Sequence, residues 1–184
     1  MAQSSNTVRI GGGLWRSRLL TFPDLPGLRP TPDRVRQTLF NWLGQDLHGL
    51  RCLDLFCGTG VMGFEALSRG AAEAVMVEKM PLAMRHLQDN KQRLQATGAE
   101  LLQQDAEQFL ARDQRQFDII FLDPPYQQNW LPRMLPVLSA HLAPDGYLYV
   151  EAEYVLSSCA DWQVIKQGRA GNVCYHLLKS AHAD

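Results

Sequence analysis

No run of about 18 apolar residues occurs in the 184-residue chain, so no membrane-crossing helix is expected. The opening stretch MAQSSNTVRI lacks the basic start and apolar middle of a secretion signal, which points to the cytoplasm. Cysteine is scarce: the four present (Cys52, Cys57, Cys159, Cys174) form no C-x-x-C pair and have no matching histidine pair, so neither a zinc site nor a redox dithiol is indicated. They read instead as buried thiols of a reducing compartment. The five histidines (His48, His86, His141, His176, His182) fall in no metal-binding frame, leaving a metal mechanism without support. Repeats, low-complexity tracts and long linkers are missing too. Net charge is almost nil, with 18 basic residues against 19 acidic giving −1, and 46% of the chain is hydrophobic. That composition excludes collagen-like, disordered and membrane classes. At roughly 150 residues per domain, the length suits one domain with a single sizeable core.

Lysine is absent from residues 1–51, which hold seven arginines (Arg9, Arg16, Arg18, Arg29, Arg34, Arg36, Arg51) against three acids (Asp24, Asp33, Asp46), a local charge of +4. The remainder holds the other 11 basic and 16 acidic residues, or −5. Such a split suggests a basic arm for a polyanion on a neutral-to-acidic body. The competing reading is a chance excess of solvated arginines.

From Arg51 onward, short apolar runs alternate with amphipathic ones. CLDLF (52–56), AVMVE (74–78), FDIIFLD (117–123) and YLYVE (147–151) read as strands, with a weaker one over 99–103. Helices are predicted over 61–68, 80–96, 106–112 and 129–142, the last ended by Pro144-Asp145-Gly146. Trp162–Ile165 and Val173–Leu178, joined by KQGRAGN, suit an edge hairpin. The order predicts a doubly wound, Rossmann-like α/β domain over 51–184, with a mostly parallel seven-stranded sheet. Ahead of it, residues 1–50 form an extension: a small β-ribbon over 8–22 with a triple-glycine turn, then a helix capped by Thr31 with Pro32 at its first position. Val35, Leu39 and Trp42/Leu43 recur at helical spacing and give that helix one apolar face.

The strongest local motif runs from Asp54 to Gly63. A strand delivers the chain into a glycine turn at the carboxyl edge of the sheet, where the backbone can approach a ligand and a helix begins with free N–H groups. Gly58, Gly60 and Gly63 satisfy a dinucleotide fingerprint, Phe56 lies within the loop, and Glu78 stands 20 residues beyond Gly58, where an acid accepts from ribose hydroxyls. These residues alone fit a nicotinamide cofactor or S-adenosylmethionine equally. Asp54 favours the second: a carboxylate there would repel a pyrophosphate but attract a sulfonium and an amino-acid ammonium. Its bland alternative is a turn cap. Asp105 is positioned for the adenine amine, with the Ala106 N–H beside the ring, unless Asp105 only caps a helix.

The second motif, Asp123-Pro124-Pro125-Tyr126, ends a predicted strand. Two prolines stiffen the loop and remove two donors, leaving the Asp123 carboxyl and the Pro124 carbonyl to accept from one –NH₂ group. Tyr126 offers a stacking ring. An exocyclic base amine is a poor nucleophile because its lone pair is delocalised. Two acceptors that draw its hydrogens out of plane aim that lone pair at an incoming methyl group, a task of positioning and electrostatics that needs no metal.

Together, CLDLFCGTGVMGFEALSRGA, Glu78, DPPY and above all the N-terminal VRIGGGLWRSRL and LRPTPDRVRQTLFNWL resemble the bacterial RsmD family, guanine-N2 methyltransferases of small-subunit ribosomal RNA. The resemblance covers nearly the whole chain. It implies a monomer that uses S-adenosylmethionine to methylate one guanine of 16S rRNA in an assembled or assembling small subunit. Ser17 departs from the pattern, since the family more often has glycine between the two arginines. The sheet domain leaves no separate recognition module, so RNA contact falls to Arg9, Arg16, Arg18, Arg29, Arg34 and Arg36 as phosphate ligands, with Trp15 either stacking or packing. The target base must leave its stack to reach the catalytic loop. Competing readings are a DNA adenine-N6 methyltransferase, which lacks a DNA-reading domain here, and a nicotinamide-dependent oxidoreductase, which leaves DPPY unexplained. A non-enzymatic RNA-binding module would account for the arm alone.

Overall fold

A computed structural model describes residues 5–159 and 161–182. The extension folds as an antiparallel ribbon, β1 (Ser5–Arg9) with β2 (Leu19–Pro23), followed by α1 (Asp33–Leu43). The body follows as β3 (Arg51–Asp54), α2 (Val61–Ser68), β4 (Glu73–Glu78), α3 (Pro81–Leu94), β5 (Ala99–Gln103), α4 (Ala106–Arg112), β6 (Phe117–Leu122) and α5 (Trp130–Leu138). A 3-10 turn (Ser139–His141) leads into β7 (Leu142–Ala152), and the hairpin β8 (Trp162–Ala170) with β9 (Val173–Ser180) closes the sheet. No helix among the described residues is long and apolar enough to cross a membrane.

The seven strands lie in the order β5-β4-β3-β6-β7-β9-β8. They run parallel from β5 to β7 and antiparallel beyond. The chain first builds outward from β3 through β4 and β5, then crosses to β6 on the other side. In open α/β sheets, ligands bind at such a reversal, outside the carboxyl ends of the strands.

Strand periodicity sorts the core into two layers. On one face Met76, Phe121 and Tyr149 pack with Phe40 of α1, Phe64 of α2 and Leu87 of α3; on the other Val75, Ile120 and Leu148 meet Phe109 of α4 and Met134 of α5. The extension belongs to the first layer. Val8, Ile10, Leu20, Phe22, Val35 and Leu39 are buried in it, and each such side chain contributes about 1.5–3 kcal/mol on burial. Asn90 of α3 stitches β2 in place, its Oδ1 accepting from Thr21 N at 3.1 Å and its Nδ2 donating to Thr21 O at 2.8 Å.

Local departures from the sequence reading have identifiable causes. Cys52, Cys57 and Cys174 are buried as expected, but Cys159 is exposed, because it lies in the loop between β7 and β8. Thr31 does not cap α1; Pro32 holds that position, and the Thr31 hydroxyl is drawn into the interior to donate to Glu151. Pro144-Asp145-Gly146 does not end a helix. It lies inside β7 as a bulge, with Asp145 at φ 63° between the paired residues Leu142 and Tyr147. The KQGRAGN connection is mostly strand, the turn shrinking to Gly171 and Asn172. Ser17 adopts φ 71°, a left-handed conformation that glycine takes without strain.

Candidate functional site

Four acids line the carboxyl edge on one face of the sheet. Register pairs Asp54 with Met76 and Phe121, and Phe121 with Tyr149. Two residues further along their strands, Glu78, Asp123 and Glu151 therefore point to that same face. Glu78, Asp54, Asp123 and Glu151 thus follow the strand order β4-β3-β6-β7, above the Phe40, Phe121 and Tyr149 rings.

The glycine loop is stitched to the neighbouring strands by Leu55 N to Phe121 O at 3.1 Å and Cys57 N to Val77 O at 3.0 Å. Gly60, at φ 80°, turns the chain into α2, and a side chain there would meet Leu87 at 2.4 Å. A Cβ on Gly58 would strike Leu28 of the extension at 2.9 Å, so the arm lies directly against this loop. Asp54 is buried, its Oδ2 accepting from Gly63 N at 3.1 Å. Burial pushes its carboxyl up to about 7, the Gly63 N–H opposing the rise and Glu78 and Glu151 adding to it. Glu78 braces the loop with both oxygens, accepting from Gly58 N at 2.9 Å and Met80 N at 2.8 Å. Each carboxylate oxygen keeps a further lone pair for a ligand hydroxyl.

Phe56 is half-buried and meets Trp130 edge-on at 5.1 Å, which fixes the start of α5 beside the loop. Asp105 caps α4, its Oδ1 accepting from Glu107 N at 2.9 Å and Gln108 N at 3.4 Å, while Ala106 is buried as the first helical residue. The cap reading of Asp105 is therefore realised, with Oδ2 still uncommitted. Asp123 lies recessed, Pro124 is buried, and Pro125 and Tyr126 are exposed at the rim. Burial and the adjacent Glu151 raise the Asp123 carboxyl well above the usual range, and burial next to the same acids raises the Tyr126 phenol.

Glu151 is the residue that the sequence reading left without a role. It accepts from the Thr31 hydroxyl at 2.6 Å and the Tyr149 hydroxyl at 2.9 Å, and its carboxyl is within hydrogen-bonding reach of Asp123. The signal was available in YLYVE, where a period of two puts Tyr147, Tyr149 and Glu151 on one face. Among the described residues, no group of three or more histidines, cysteines or acids is arranged to hold a metal ion.

The arginines do not gather at this site. Arg9, Arg16, Arg18, Arg29 and Arg34 are exposed, whereas Arg36 is only 2% exposed. Its guanidinium pairs with Glu65 at 3.1 Å and with Asp33, and donates to the Thr31 and Arg9 carbonyls, so it is a structural cation whose burial keeps it from a phosphate. Trp15 is half-buried against the core, its backbone N–H held by Ser68 Oγ at 2.9 Å. That contact sets the ribbon loop, with Arg16, at the end of α2 remote from the acids; Arg18 bonds the Arg93 carbonyl near the far end of α3 at 2.9 Å. Arg29, next to Leu28, stands at the acid edge.

The family model described as conserved hypothetical protein 95 matches residues 8–179. Ribosomal RNA small subunit methyltransferase D of Escherichia coli (strain K12) is 40% identical over 180 residues, covering 95% of this chain and 91% of its own. The solved structure of yhhF from Escherichia coli matches with a TM-score of 0.85 at 39% identity, over 97% of this chain and 100% of that one. A Thermus thermophilus 16S rRNA N2 methyltransferase, solved in complex with AdoMet and guanosine, shares the fold: TM-score 0.70 at 22% identity, over 95% of this chain and 49% of that one.

Proposed function

This chain belongs to the RsmD family, described as conserved hypothetical protein 95, and on that premise we propose that it methylates the exocyclic N2 amine of one guanine in 16S rRNA, using S-adenosylmethionine. The observation that carries the reading is the placement of Asp123: recessed below exposed Tyr126, on the same sheet edge and face as the glycine loop.

The residues present fit the cofactor. Asp54, a buried acid whose carboxyl is pushed up to about 7 and whose charged form a cation would favour, stands beside a loop whose glycines leave room for a ligand, and Glu78 retains acceptor capacity toward ribose hydroxyls. When bound, the cofactor supplies an electrophilic methyl group on a sulfonium. The chain does the rest by position. The stiff Asp123-Pro124 pair holds the amine with two acceptors, and Tyr126 at the rim stacks on the extruded base. Phosphates are met by exposed arginines of the extension, Arg29 nearest the site. In this reading the enzyme works as a cytoplasmic monomer on the assembled or assembling small subunit.

Incubating the protein with methyl-labelled S-adenosylmethionine and small subunits, or naked rRNA, from cells that lack the enzyme tests the reading. Nucleoside analysis is expected to place the label in N2-methylguanosine. Label in N6-methyladenine, or none, overturns it.

A further inference from the structure

We propose that Glu151 is the terminal proton acceptor of the reaction, reached through Asp123, and that Thr31 of the extension sets its charge state. The proposal rests on the amine methylation described above.

Register places Asp123, one residue past the Leu122–Val150 pair, opposite Glu151 on adjacent parallel strands. Neighbouring strands lie about 4.8 Å apart, so the two carboxyl groups are held together by the sheet itself. Both sit on the face covered by the extension, and Glu151 is only 4% exposed. A buried carboxyl and a recessed one within hydrogen-bonding reach disfavour double ionisation and share a proton. The donors decide which one carries it. Thr31 Oγ1 and Tyr149 Oη both donate to Glu151 Oε1, which favours the carboxylate at Glu151. Asp123 therefore keeps the proton and donates it to Glu151. The groups that face this pair are Asp54 from the end of β3, Tyr126 from the rim, Tyr149 from β7 and Tyr175 from β9. Each is an acid or a phenol, and none supplies a positive charge that would ionise both carboxyls.

A protonated Asp123 still accepts from the guanine amine through its carbonyl oxygen. An amine that gains a methyl group must shed one proton. Its N–H bond breaks as an O–H bond forms on that Asp123 oxygen, while the O–H that Asp123 held toward Glu151 breaks and a new one forms on Glu151. Asp123 ends as it began, neutral. Glu151 passes from carboxylate to carboxylic acid and discharges to solvent once the product leaves. A lone ionised Asp123 would need no second acid, and the buried, doubly hydrogen-bonded Glu151 would then serve no purpose in the step.

The test uses Glu151→Gln, which keeps an oxygen for the Thr31 and Tyr149 hydroxyls, and Tyr149→Phe, which keeps the acid and removes one donor. In cofactor-free protein carrying ¹³C-carboxyl aspartate, NMR at pH 8, above the Asp54 transition, is expected to show Asp123 protonated in the wild type and ionised in Glu151→Gln; the resonance is assigned by its loss in Asp123→Asn. Glu151→Gln is expected to lower kcat about a hundredfold or more with little change in KM for the RNA. Tyr149→Phe makes Glu151 a stronger base, so the acid limb of the pH–rate profile moves to higher pH. If the wild type methylates guanine N2 but Asp123 is ionised at pH 8, or Glu151→Gln turns over at the wild-type rate, the relay is wrong and the enzymatic reading stands. If the wild type makes no N2-methylguanosine, the enzymatic reading fails and takes the relay with it.

Discussion

Asp54 and Asp123 are neighbours in the acid row, and the proposed function gives them separable duties. Asp54 is raised from about 3.8 to about 7 chiefly by burial. Between those values the folded protein keeps a proton that the unfolded chain has released. The stability this group contributes is thus fully present below about 3.8 and is lost as pH rises through about 7. Capture of a cationic cofactor runs the other way, because it selects the ionised form: affinity is expected to rise through pH 7 with release of about one proton per ligand. Calorimetry in buffers of different ionisation enthalpy measures that proton, and Asp54→Asn should flatten both dependences. Affinity that stays level across pH 6 to 8 would remove Asp54 from cofactor binding. Asp123→Ala should instead abolish turnover and leave cofactor affinity nearly unchanged, measured by single-turnover assay and calorimetry side by side; an equal loss of both would reassign the residue.

At the scale of elements, the ribbon and α1 behave as part of the body. Arg36 bridges α1 to Glu65 of α2 while holding the carbonyls of Thr31 and Arg9. Arg36→Ala leaves Glu65 with Arg69 and the Gly11 N–H as its remaining partners and is expected to cost about 3 kcal/mol of unfolding free energy in a denaturant titration. A variant that keeps wild-type stability but loses RNA affinity would restore Arg36 to the phosphate ligands. Ser17→Gly should gain about 1 kcal/mol, or roughly 2–4 °C in Tm, because Ser17 sits in the left-handed region. The difference between these residues shows what a sequence makes legible. Period-two runs and glycine turns made legible the strands of the body, the loop from Asp54 to Gly63 and the strand end that holds Asp123, because those signals are local; the order of the strands in the sheet is a long-range property. Even the Ser17 departure was visible at its own position. Arg36 and Thr31 misled because their partners, Glu65 and Glu151, lie 29 and 120 residues away. A buried arginine and a surface arginine read alike until the contact across the fold is known, and a threonine before a proline reads as a cap unless something deeper takes its hydroxyl.

Across the whole molecule, three exposed arginines of the extension, Arg16, Arg18 and Arg29, divide between two edges of the sheet. Arg29 stands with the acids, whereas Arg16 and Arg18 sit where α2 and α3 end; α2 alone, at eight residues, separates the edges by about 12 Å. One flipped base cannot account for both groups. An RNA held at each edge must extend along the flank formed by the ribbon, so the two groups should report on different substrates. Arg29→Ala should slow turnover on a short RNA hairpin and on the whole subunit alike. Charge removal at Arg16 and Arg18 should weaken binding to the subunit, reducing the slope of log affinity against log salt by about 0.7–0.9 for each phosphate no longer neutralised, yet leave a hairpin too short to span the edges unaffected. Filter binding across a salt series on both substrates makes the comparison. Equal losses on the short hairpin would place the ribbon loop at the target base, and unchanged binding to the subunit would leave that loop a packing element only. On the proposed function, the near-neutral chain would recognise RNA by geometry: Arg16 and Arg18 lie on the flank, remote from the acids, and Arg29 alone stands exposed at the rim beside them, so little positive charge is set against the carboxyl row.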